Sequence, residues 1–164
     1  MLRRAGVQVA IMALALVTLL PTGAQAASVW DPNEPIRRLD MRWIGAYVES
    51  DGQTRVTITF YHSVRLRWFD RLQELELSSM VMLFASEAGV EPTWYAVFGK
   101  RDNRLRAQLC ESGSGCNETR VTRPDRFTIR ARFGGLDGMA FRGRSTRGGW
   151  SGEILDRTAW GIVT

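Results

Sequence analysis

The sequence predicts an all-β protein: a single antiparallel β-sandwich, jelly-roll-like, of about eight strands behind an export leader. Three observations predict it. Thr54–Tyr61 alternates strictly, with Val56, Ile58 and Phe60 on one face and Arg55, Thr57 and Thr59 on the other. Met41, Trp43 and Tyr47 alternate in the run before it, and Glu49–Gln53 between them carries an Asp-Gly turn signal, so the two runs form a hairpin. Further short apolar runs separated by turn residues recur along the rest of the chain and can pack on that hairpin.

Residues 1–26 read as a signal peptide rather than as structure. Arg3 and Arg4 form a positive start, Val7–Leu20 is apolar apart from Gln8 and Thr18, and Ala24-Gln25-Ala26 fits a small-x-small cleavage site. The apolar run is short for a membrane span of about 20 residues. The expected mature chain, Ala27–Thr164, carries no further span and is expected to be secreted or wall-associated. Without Arg3 and Arg4 its basic excess falls from five to three, and Lys100 is its single lysine. So weak an excess on an exported chain argues against nucleic acid as a partner.

Residues 27–39 read as an extended lead-in, because Pro32 and Pro35 exclude a helix. Asp31, Asn33 and Asp40 lie close enough in sequence to hold Ca²⁺. The alternative is a turn in which Asp and Asn bond their own backbone. The central Gly and final Glu of an EF-hand loop are missing. No other cofactor is expected.

Past the hairpin, His62–Gln73 suits a strand end and a turn. His62, the only histidine, has no neighbouring nucleophile or orienting group. Met80–Ala85 is continuously apolar, as in a strand buried on both faces or a core helix. Glu74 and Glu76 before it share a strand face, as any solvated alternation would. Thr93–Phe98 and Arg104–Cys110 form a second hairpin around the polar turn Gly99–Asn103. Cys110 and Cys116 bracket a Gly/Ser loop in an exported chain and are expected to pair as a structural disulfide; a redox pair wants tighter spacing. Asn117–Arg123 and Arg126–Phe133 follow, then a last core strand near Met139–Ser145. Residues 146–164 read as an irregular tail with one short edge strand.

The opening Asp31-Pro32-Asn33-Glu34, then Leu39-Asp40-Met41-Arg42-Trp43-Ile44-Gly45, resembles that of small exported bacterial proteins of uncharacterised function, mostly from high-GC Gram-positive bacteria. Their openings read D-P-N-D followed by L-D-I-R. Arg104-Leu105-Arg106-Ala107 and Arg123–Ile129 also look like that pattern, and Glu34 departs from it where a second Asp is usual. The resemblance implies a β-sandwich akin to extracellular carbohydrate-binding modules. It implies no activity.

The sequence holds no nucleophile elbow, phosphate loop, zinc spacing or dinucleotide fingerprint. The expectation is therefore a non-catalytic module that binds a glycan or an anionic cell-wall polymer. The alternatives are a structural or protein-interaction module at the cell surface and, third, an enzyme of unknown class. The candidate ligand residues are Arg104, Arg106, Arg120, Arg130 and Arg132. They face outward on three successive runs and build a basic stripe if those runs are neighbours, since guanidinium groups match phosphate and carboxylate geometry. A solvated sheet face is the alternative. Of the six tryptophans, Trp43 and Trp94 are expected to be the most buried, and Trp30, Trp68 and Trp150 the most exposed.

Overall fold

The computed structural model describes residues 27–30, 39–72, 80–147 and 153–164. The leader, Asp31, Asn33, Glu74, Glu76 and Trp150 lie outside them. The described residues form two antiparallel sheets packed face to face, a β-sandwich. The strands are β1 (Ala27–Trp30), β2 (Met41–Val48), β3 (Gln53–Phe60), β4 (Met80–Ala85), β5 (Trp94–Arg101), β6 (Arg104–Glu111), β7 (Cys116–Arg120), β8 (Thr128–Gly134), β9 (Ala140–Arg147), β10 (Glu153–Arg157) and β11 (Gly161–Ile162). The smaller sheet has the order β1-β2-β3-β8; the larger has β10-β9-β4-β5-β6-β7, with β11 also on β9. The eight strands expected correspond to β2–β9. The lead-in and the tail supply the other three, because their backbone groups find partners on β2 and β9.

In the smaller sheet, Val56, Ile58 and Phe60 point into the core as their alternation requires. Gly52 takes the positive φ of 78° that closes the β2–β3 turn, and its N–H donates to the Glu49 carbonyl at 2.9 Å. Trp43 departs from expectation. The β2–β3 register shifts between Met41 and Trp43, a β-bulge at Arg42. Met41 before the shift and Ile44 and Ala46 after it are buried, so Trp43, Gly45 and Tyr47 turn to the outer face. Trp43 is only half-buried there.

The larger sheet is built around β4, all six of whose residues are buried between β5 and β9. The β5–β6 turn is tighter than the five polar residues suggested. Asp102 and Asn103 both take positive φ, 51° and 56°, in a two-residue connection that suits the twist of a hairpin, so both strands run up to it. Gly99 therefore belongs to β5. A Cβ there would stand 2.7 Å from Leu72 Cα, so the glycine lets the Arg71–Leu72 backbone cross β5 closely. Between His62 and Leu72 the described residues hold one 3₁₀ turn, Leu66–Trp68, followed by the fully buried Phe69. Trp68 packs on the core rather than standing free, and Trp94, expected to be deeply buried, packs on the core only partly buried.

Phe98 of β5 and Phe133 of β8 meet edge-to-face across the sandwich, their centroids 6.3 Å apart. Cys110 and Cys116 sit directly opposite in the β6–β7 register and are joined by a disulfide. So short a loop contributes roughly 2 kcal/mol on a chain-entropy basis. Beyond β7 the chain joins the two sheets. Thr122 N–H donates to the Arg130 carbonyl at 2.8 Å, and Arg130 N–H returns to Thr122 at 2.9 Å. This corner links the edge of the larger sheet to β8 of the smaller one.

Candidate functional site

Antiparallel partners share a face, so register alone lays out the exterior of the smaller sheet. One row holds Trp43, Thr59 and Thr128; the next holds Gly45, Thr57 and Arg130; the third holds Tyr47, Arg55 and Arg132. On the larger sheet Arg106 and Arg120 are opposite, one step from Arg104. The Thr122–Arg130 bridge brings these groups together. A groove of about 420 Å³ at the corner is lined by Gln53, Arg55, Arg120, Thr122, Arg130 and Arg132. A second, of about 300 Å³, is lined by Leu66, Arg104, Arg106, Arg120, Val121 and Arg123. Arg120 belongs to both.

The five candidate arginines thus converge on the corner, but not as a stripe of three neighbouring strands: β8 pairs with β3 in the other sheet. Arg55 and Arg123 were missed. Arg55 carried a signal, since it alternates outward on the hairpin strand. The nonlocal β3–β8 pairing that makes it relevant leaves no local mark.

Like charges stand directly opposite at Arg55–Arg132, Arg106–Arg120 and Arg101–Arg104, a destabilising arrangement unless offset. Glu49 pairs with both Arg55 and Arg132, and Asp51 with Arg132. Glu118 pairs with Arg101 and lies 3.6 Å from Arg106. Among the described residues, Arg104, Arg120 and Arg130 make no ion pair. The backbone N–H of Gln53, then Arg132, hold the Asp51 carboxyl below its usual range. The Phe127 N–H does the same for Asp125, with Thr128 and the nearby charge of Arg130 adding to it. Both acids are ionised at neutral pH. At the third row, Arg55 Nη1 donates to the Tyr47 hydroxyl at 2.5 Å.

Other candidates fall elsewhere. Asp40, just before β2, is 1% exposed, and its carbonyl accepts the Tyr61 N–H at 3.0 Å. Asp31 and Asn33, the rest of the expected calcium set, lie outside the described residues, and among those described no group of three acidic, His or Cys side chains is disposed to hold a metal. His62 is exposed. A second basic cluster went unread as such in the sequence: Arg142 and Arg144 on β9, with Arg157 opposite Arg144 on β10. Burial, then repulsion from Arg157, push both β9 guanidinium groups below the usual arginine range, with Arg144 adding to the push on Arg142. Arg142 lies over the Trp160 ring at 4.6 Å, so this cluster packs rather than lining the corner.

No known family matches the chain, and no curated protein or solved structure shows significant similarity to it. Among the described residues no helix is long and apolar enough to cross a membrane.

Proposed function

We propose that the protein is an exported, non-catalytic module that binds an anionic extracellular or cell-wall polymer at the corner between its sheets. One observation carries this reading. Two grooves sharing Arg120 gather arginines from four strands, and three of those arginines have no ion-pair partner among the described residues. Guanidinium groups so placed suit carboxylate or phosphate along a chain. Export is inferred from the leader-like segment and the disulfide. A protein partner has less in its favour: among the described residues the large exposed apolar side chains, Val90 on a loop, Ile154 on β10 and Ile162 on β11, lie singly.

The test is retention on purified cell wall across a salt gradient, comparing the protein with an Arg120→Glu/Arg130→Glu variant. We expect wild-type retention to fall as salt rises. The variant should elute at clearly lower salt, with its melting midpoint within about 2 °C, because both positions are exposed. Equal retention of the two would overturn the proposal.

A further inference from the structure

Resting on that reading, we infer that the outer face of the smaller sheet takes an acidic polysaccharide, a polyuronate, with a sugar ring on Trp43 and its carboxylate on Arg130. The β2 bulge turns Trp43 outward, and its indole lies over Gly45: a Cβ there would stand 2.5 Å from Cη2 and 2.6 Å from Cζ2. The ring thus occupies the Gly45 position of the middle row, whose other members are Thr57 and Arg130. Gly45 and Arg130 are two strand spacings apart, roughly 10 Å. Thr57, 6% exposed, forms the floor between them. That separation, shortened by the reach of an arginine side chain, suits one sugar ring and its charged substituent.

The chemistry selects the ligand. An aromatic face offers contact to the C–H face of a pyranose, and a guanidinium takes a carboxylate in a fork. A neutral glycan has no use for Arg130, and a polyanion without rings has none for Trp43. A polyuronate carries both features in every residue. Within this face, Arg132 and Arg55 are already engaged by Glu49 and Asp51, whereas Arg130 makes no ion pair among the described residues.

The experiment measures binding of the purified protein to polygalacturonate, to its methyl ester (same rings, no charge) and to polyacrylate (carboxylates, no rings). Wild type is compared with Trp43→Ala and Arg130→Gln. We expect polygalacturonate binding to weaken about tenfold in each variant, the scale of one stacking contact or one charge-assisted bond. The methyl ester should bind wild type at least about tenfold more weakly. Polyacrylate should respond to Arg130→Gln and be indifferent to Trp43→Ala. Gly45→Ala keeps the tryptophan but displaces its ring, and should reproduce the Trp43→Ala pattern even if the latter disturbs folding. Polygalacturonate binding that ignores both Trp43→Ala and Gly45→Ala overturns the inference and leaves the anionic-polymer reading standing. Absence of binding to every polyanion, cell wall included, overturns both.

Discussion

The outer faces of the two sheets are built on opposite plans. On the larger sheet, Val81, Leu83 and Val97 point away from the inter-sheet core yet are at most 2% exposed. On the smaller sheet the corresponding positions hold Thr59, Arg55, Arg130, Arg132 and the half-buried Trp43 and Tyr47. β4 at the centre of the larger sheet is thus buried on both faces, while the smaller sheet's outer face is only partly covered: Thr57 and Thr128 are 6% exposed there, but Arg130 and Arg132 stand in solvent. Where one face stays solvated, its side chains are not committed to packing and can meet a ligand.

The comparison is broken or kept most directly by deletion on each face. Leu83→Ala should cost about 2–5 kcal/mol in urea unfolding, because it empties a fully packed site. Arg130→Gln should stay within about 0.5 kcal/mol, as exposed substitutions do. Similar costs for the two would mean that the faces do not differ in kind.

Two glycines sharpen the contrast at smaller amplitude. The Cβ added by Gly99→Ala meets backbone, Leu72 Cα at 2.7 Å and Leu72 N at 2.8 Å. The chain crossing must shift, at about 1–3 kcal/mol. The three atoms nearest the Cβ added by Gly45→Ala all belong to the Trp43 ring, the far end of a half-buried side chain on the outer face. The ring can swing aside, so the stability loss should be about 1 kcal/mol or less. Thermal melts of the two variants check the order; a Gly45→Ala variant less stable than Gly99→Ala would show the smaller sheet's outer face to be packed core.

The same contrast governs how far the sequence could be read. Val56, Ile58 and Phe60 alternate because one face is wet, and that period identified both the strand and the direction each side chain points. Met80–Ala85 lacks the period because both its faces are buried, so strand and helix stayed open for it. Trp43 was misplaced because the bulge at Arg42, just before it, inverts direction without any local signature. The arginines were individually legible as outward. Their meeting was not, since it depends on Thr122 bridging to Arg130 and on β8 choosing β3, pairings set by the whole fold.

The smallest expected effect concerns the acids that share the arginine face. Asp51 pairs with Arg132, and its carboxyl is held below the usual range, so it is charged at neutral pH and offsets one cation beside the proposed site. Asp51→Asn removes that charge but keeps an oxygen where Oδ1 now accepts the Gln53 N–H at 3.1 Å. Asn before Gly52 also suits the turn. The fold should therefore change little: the pair is exposed, and exposed pairs contribute little to stability. Binding should respond with the opposite sign. Removing one opposing charge beside the site should raise polyanion affinity about twofold at moderate ionic strength, converging on wild type at high salt where that charge is screened. Acid should close the gap between the two: as pH falls through the depressed Asp51 value, below the ordinary 3.8, wild type loses the offset that Asp51→Asn already lacks, while Glu49, which also pairs with Arg132, is present in both. Titrating wild type and Asp51→Asn with a polyanion whose own charge persists at that pH, such as a polysulfate, checks this. An unchanged affinity in Asp51→Asn at low salt would place the bound polymer away from Arg132 and confine the site to Arg120, Arg130 and the groove toward Arg104.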